Sequence, residues 1–261
     1  MKEYINNKKH KNMKHRFLIL IFSLFACAVN AQFPWELPMK PGVWDYPVKP
    51  GTEEWKNTKD RIKACQIPEN ILLSLSTEDL TELCLRYPFI DDFYYFNTIH
   101  QGIERLFDTF NGIRELYTRE DVSKELLKHY QAKIQNISLL DKSTSRFERG
   151  LFIKSISVLE VLLSRCQSSN DVSKDNYREI LQHLVAGYEK KIEYAEKFKG
   201  TGFQTNFFSR AHIIQKISEQ SMEGLSSKDR NSVLYSGMAN EQSVRLIDEL
   251  SYQLTQKYHE K

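Results

Sequence analysis

The chain has 261 residues, 41% hydrophobic and 27% charged, with a formal net charge of +3. Six of its 37 basic residues lie in the first 16 positions beside one acid, Glu3, and without residues 1–31 the balance is 31 basic to 33 acidic, about −2. That near-neutral remainder excludes an electrostatic case for nucleic acid or an anionic membrane surface as partner.

Lys2, Lys8, Lys9, Lys11, Lys14 and Arg16 precede an uncharged run, FLILIFSLFACAV, at residues 17–29. The run is shorter than the roughly 20 apolar residues of a spanning helix. Val29-Asn30-Ala31 then places small residues at the two positions that a signal peptidase reads. Residues 1–31 are therefore expected to be a secretory signal peptide cleaved after Ala31. The mature chain would begin at Gln32, in the periplasm or outside the cell, with no stable transmembrane segment. A second reading is a lipoprotein: Leu24-Phe25-Ala26-Cys27 is similar to a lipobox that would lipidate Cys27. Phe25 is bulky for that position, and the apolar run continues past the cysteine.

Residues 32–51, QFPWELPMKPGVWDYPVKPG, form a Pro/Trp-rich leader with five of the seven prolines. Proline at this density favours extended chain and turns. The sequence PMKPG at 38–42 nearly repeats as PVKPG at 47–51, and a tryptophan follows each copy, Trp44 and Trp55. Trp35, Trp44 and Trp55 are candidate interaction residues. The leader is expected to dock on the helical body through Trp35 and Trp44, with an exposed recognition arm as the alternative.

Helical patterning starts at Thr52, a cap for EEWKNTKDRIKAC. Pro68 begins PENILLSL. Ser76 caps the next element, and Pro88 and then Asn97 are expected to open further helices before a stop at Asn111-Gly112. Apolar residues three and four apart through 76–117 predict short helices around a phenylalanine-rich seam. A helix over 120–136 is followed by a polar break at 139–145. In 147–166 only Lys154, Ser157, Glu160 and Ser164 interrupt the apolar surface, so this helix should be surrounded by others. A long helix over 176–199 has its seam at Ile180, Leu184, Tyr188 and Ile192. Gly200-Thr201-Gly202 should end it, and Thr205 or Asn206 should begin the next. Weaker patterning over 226–239 leads to a final helix over 241–258.

These signals predict an all-α fold over 52–261, about ten helices packed as antiparallel pairs, with two lobes meeting near residue 140 as one possible division. Phe93, Phe107 and Leu159 are expected in its core. Three cysteines remain after the signal. Cys65 and Cys84 lie on neighbouring elements, so a disulfide between them is the alternative to the preferred reading of three buried thiols, Cys166 among them. No motif calls for a metal or another cofactor.

FPWELP after the signal, then KPGTEEW, ACQIPE, LSTEDL, LCLRYP, FNGIREL and SISVLEVLLSR, form an ordered set. It resembles a family of secreted, all-helical proteins of Bacteroidetes-type bacteria, over most of the mature chain. That family has no assigned activity, so the resemblance implies a compartment and a fold class. The second PxKPG copy departs from its pattern as an insertion.

Three places merit inspection for chemistry. His100 and Glu104 stand four apart, a spacing that suits an exposed pair better than a metal site without further ligands; His129, His183, His212 and His259 are scattered. Asp91 and Asp92 lie among Tyr87, Phe89, Phe93, Tyr94, Tyr95 and Phe96. Paired acids beside aromatics occur in sugar-processing sites, but neighbouring helical residues diverge by about 100°. Glu160 is a candidate buried acid, in need of a cation such as Arg149, Lys154 or one from elsewhere. The expected function is an exported binding or scaffold protein of the cell envelope, for an unidentified protein, peptide or envelope component. The alternative is an envelope hydrolase with an acidic site on the helical body.

Overall fold

Thr52 ends the leader and starts the body: its hydroxyl accepts from the Trp55 backbone N–H and caps α1, Glu53–Asn57. A computed structural model describes residues 43–142, 145–166, 174–198, 201–218 and 222–256. These residues belong to one compact unit. They form thirteen α-helices, one 3-10 helix and no strand, so the fold is all-α.

The front of the body has more and shorter helices than the spacing predicts, because capping residues interrupt it. EEWKNTKDRIKAC breaks at Thr58, and Asp60 caps a separate α2, Arg61–Ala64, by accepting from the Lys63 N–H. Pro68 precedes α3, Glu69–Ser74, and Ser76 caps α4, Thr77–Leu85, as expected. Pro88 does not open an α-helix. Turns follow it, then the 3-10 helix Asp92–Tyr95. Four consecutive aromatic residues, Phe93 to Phe96, cannot share one face of an α-helix; the tighter turn buries Phe93 and leaves Tyr95 and Phe96 outside.

Thr98, not Asn97, caps α5, Ile99–Thr109, through the Gln101 N–H. The 3-10 helix lies against α5 so closely that a Cβ on Gly102 would come 2.3 Å from the Phe93 Cα. Asn111 ends α5 as expected but also begins α6, Asn111–Leu116. Its side chain accepts from the Ile67 N–H at 3.0 Å and donates to the Ile67 carbonyl at 2.7 Å, which ties α6 to the α2–α3 connection.

The rear of the body holds α7 (Val122–Gln135), α8 (Leu139–Lys142), α9 (Arg146–Arg165), α10 (Lys174–Glu193), α11 (Thr201–Ile217), α12 (Ser227–Ser236) and α13 (Glu241–Gln256). The polar break expected at 139–145 is partly the short helix α8. α9 packs on α7 and α11, and α11 also touches α10, α12 and α13. From Ile156 to Ser164 every residue of α9 is buried, Ser157, Glu160 and Ser164 included, so its thin polar line faces inward. α11 begins at Thr201, earlier than expected, which places Thr205 and Asn206 inside the helix and fully buried.

Phe93 and Leu159 are core residues, but Phe107 is only partly buried. Its ring meets Tyr117 edge-on at 4.9 Å, and the Arg165 guanidinium lies 5.4 Å from its centroid, so a cation covers the side that the seam was expected to close. Cys65, Cys84 and Cys166 are free and buried. Burial pushes the Cys65 thiol up to about 11 and Cys166 to about 12, which leaves both unreactive near neutrality.

The described end of the leader packs on this front half. Tyr46 is buried and donates to the Leu83 carbonyl at 2.9 Å, and the Val48 carbonyl accepts from Cys65 Sγ at 3.5 Å.

Candidate functional site

Two acids singled out in the sequence occupy contrasting surroundings. Glu160, on α9, is 0% exposed and so is Lys191 from α10. The Lys191 ammonium donates to Glu160 Oε1 at 2.6 Å, to Oε2 at 2.7 Å and to the Gly202 carbonyl at 2.7 Å, which uses its three protons. Oε1 also accepts from the Tyr130 hydroxyl at 3.1 Å and from Asn206 Nδ2 at 2.9 Å; Oε2 accepts from Thr205 at 2.7 Å. The partner is thus neither Arg149 nor Lys154. Thr205 and Asn206, read as helix caps, are ligands of this carboxylate.

Burial pushes the Lys191 ammonium below its ordinary value, and Glu160 opposes that shift. Burial, then Glu160, pushes the Tyr130 phenol well up. Gly187 makes the arrangement possible, since a Cβ there would lie 1.9 Å from the Tyr130 oxygen. Farther along α11, buried Arg210 donates to Asp248 Oδ1 at 2.7 Å and to the Ser251 hydroxyl at 2.9 Å, which binds α13. Apart from Asp248, 44% exposed, these groups are closed to solvent and largely consumed by each other. They hold α7, α9, α10, α11 and α13 together and offer no reacting atom to a substrate.

Asp92 lies in an open pocket of about 70 Å³ beside the 3-10 helix and α5. Tyr87, Phe89, Phe93 and Phe96 supply aromatic walls, with Arg105 from α5. Asp91, its neighbour, pairs with Lys154, whereas the Asp92 carboxylate makes no hydrogen bond or ion pair among the described residues. Burial, and next the Asp91 charge, raise Asp92 to about 6. Tyr87 is 1% exposed, stacked on Phe110 at 3.8 Å, and its hydroxyl has no hydrogen-bond partner among the described residues. Burial pushes that phenol up as well. The aromatic context of Asp91 and Asp92 was legible in the sequence. Arg105 had no such signal, because it joins the pocket only when α5 folds back on the 3-10 helix.

The remaining candidates disperse. Trp44 is partly buried, with Tyr46 edge-on at 5.1 Å, and Trp55 packs on Phe89 at 5.2 Å under the Arg61 guanidinium. Trp35 lies outside the described residues, as do Cys27 and His259. His100 and Glu104 do not form the expected pair: Arg165 takes Glu104 at 2.7 Å, and Tyr235 meets His100 edge-on at 5.0 Å. His212 binds the Leu234 carbonyl at 2.9 Å, and burial lowers it to about 4. An open groove of about 510 Å³ between α7 and α10 is lined by Lys124, Lys128, Gln131 and Glu179 among others. Among the described residues no three His, Cys, Asp or Glu side chains gather to hold a metal ion, and no helix is long and apolar enough to cross a membrane.

Comparison of the chain with protein-family models, curated proteins and solved structures gives no match.

Proposed function

We propose that this chain is an exported, all-helical binding protein of the cell envelope. The aromatic pocket carries this reading. It opens to solvent beside Ile62 and Phe96, 36% and 40% exposed, and presents polar groups that no other part of the described chain uses. Exposed apolar surface around unpartnered polar atoms favours occupancy by a ligand. The sealed state of Glu160 argues against a hydrolase built on that acid. Export rests on residues 1–31, and the resemblance to secreted helical proteins supports it.

Two measurements test the proposal. Intact mass after expression in a Gram-negative host should show a chain beginning at Gln32; a lipidated Cys27 product would move the protein to the membrane face. Trp55 stacks on a pocket wall, so its fluorescence should report occupancy. Titration with small cationic, neutral and anionic probes should give a saturable change with at least one class, and Phe96→Ala should weaken it. No saturation with any class would refute the binding reading of this pocket.

A further inference from the structure

We propose that the pocket beside the 3-10 helix and α5 binds a primary alkylammonium head group, with Asp92 as counter-charge, the Tyr87 hydroxyl as acceptor and Phe89, Phe93 and Phe96 as aromatic walls. The inference rests on the binding reading above and names the ligand class.

Size comes first. The pocket measures about 70 Å³, under half of the ~150 Å³ cavity that admits a benzene ring. A sugar or nucleobase does not fit, whereas an ammonium with a methylene or two does. Charge comes next. Asp92 bears a carboxylate unpaired among the described residues, while Asp91, one residue away, has Lys154. A carboxylate in partly apolar surroundings gains most from a cation that also donates hydrogen bonds. The Tyr87 oxygen is a buried polar atom without a partner, a costly condition that an incoming N–H relieves. Finally, the faces of aromatic rings attract cations and disfavour anions.

Two cations oppose the ligand: Lys154, already paired with Asp91, and Arg105. Arg105 is exposed and lines the same pocket, so it weakens a cation's hold without blocking the space. Besides each other, the charged and titratable groups acting on Asp92 and Tyr87 are Asp91, Lys154 from α9, Cys65 and Arg105 from α5. Burial raises Asp92 to about 6, so binding should strengthen as pH rises through about 6.

The test uses the purified full mature chain and n-butylammonium, with butyrate and 1-butanol as controls, read by Trp55 fluorescence and nuclear magnetic resonance shifts. Butylammonium should saturate in the millimolar range and exceed both controls. Asp92→Asn, of nearly equal volume, should weaken it at least about tenfold, the loss of one charge-assisted hydrogen bond. Tyr87→Phe should weaken it several-fold, and Arg105→Gln should tighten it. Circular dichroism confirms that each variant is folded. Tighter binding of an Nα-acetyl-lysine amide than of butylammonium supports a lysine side chain as the source; equal binding supports a free amine. Preference for butyrate, or an unchanged affinity in Asp92→Asn, overturns the inference and leaves the pocket a binding site. No saturation by any probe overturns both readings.

Discussion

At the centre of the rear helices the Glu160 carboxylate takes hydrogen bonds from Lys191, Tyr130, Thr205 and Asn206; beside the 3-10 helix the Asp92 carboxylate takes none among the described residues. The two drew attention for different reasons, Asp92 as one of a pair of acids beside aromatic residues and Glu160 as a lone acid on an apolar helix. The difference lies in where the donors are. Around Glu160 three other helices, α7, α10 and α11, converge and each contributes a donor. Around Asp92 the walls are mainly phenyl rings, and Lys154, the cation reaching over from α9, is taken by Asp91. A buried charge whose lone pairs are filled inside the protein serves the fold. A charge left without partners keeps its affinity for something outside it.

Removing Lys191 gives the largest expected effect. Lys191→Met strands the Glu160 carboxylate and should cost about 3–5 kcal/mol in denaturant unfolding. The double variant Glu160→Gln/Lys191→Met should lose less than Lys191→Met alone, because no buried charge is then left unpaired. A single variant with an unchanged midpoint would break the contrast between the two acids.

Leu159→Ala, one residue before Glu160 on a fully enclosed helix, should cost about 2–5 kcal/mol. Phe107→Ala, at the partly open flank, should cost about half as much or less by the same logic of buried area. Equal losses from the two would show that the flank is as closed as the centre.

Gly187→Ala is smaller but more specific. Its methyl group would displace the Tyr130 hydroxyl from Glu160, for about 1–3 kcal/mol of overpacking cost. Tyr130→Phe in the same chain should recover part of that loss in thermal melts, since it removes the atom 1.9 Å from the new Cβ. Full additivity of the two changes would disprove the contact.

The smallest effect concerns pH. Asp92 titrates at about 6 when folded against an ordinary 3.8, so the folded state holds the proton more tightly. Its contribution therefore favours the fold at low pH and is lost as pH rises from about 4 to 6. His212 acts in the opposite direction: lowered to about 4 from 6.5, it costs stability as pH falls through that window. Asp92→Asn should remove only the first trend, leaving a variant modestly more stable than the parent above pH 6 and indistinguishable from it below pH 4. Matching stability profiles at every pH would mean that Asp92 is already paired.

Some of this was legible residue by residue. Thr52 and Ser76 cap the helices they were expected to cap, because an N-cap contact spans three residues and is written locally. Lys191 was missed although its spacing marks it: Ile180, Leu184 and Lys191 recur at helical intervals, and all are buried. The seam assigned to α10 ran instead to Ile192, which is 51% exposed. Charge drew attention away from the position that periodicity had already selected. Thr205 and Asn206 misled for a related reason, since a short polar side chain suits a cap and a buried carboxylate equally well.

The sequence by itself determined the all-α class, the helical periodicity of α4, α7, α9, α10 and α13, the caps at Thr52 and Ser76, and the enclosed character of α9, since each depends on residues a few positions apart. Only the tertiary structure decided which acid would be sealed and which left open. Lys191 stands 31 residues from Glu160 and Asn206 stands 46 away; Arg105 reaches the Asp92 pocket only because α5 packs closely on the 3-10 helix at Gly102. No local pattern encodes such pairings, because they follow from how helices of similar periodicity pack, and packing is settled by the whole chain at once.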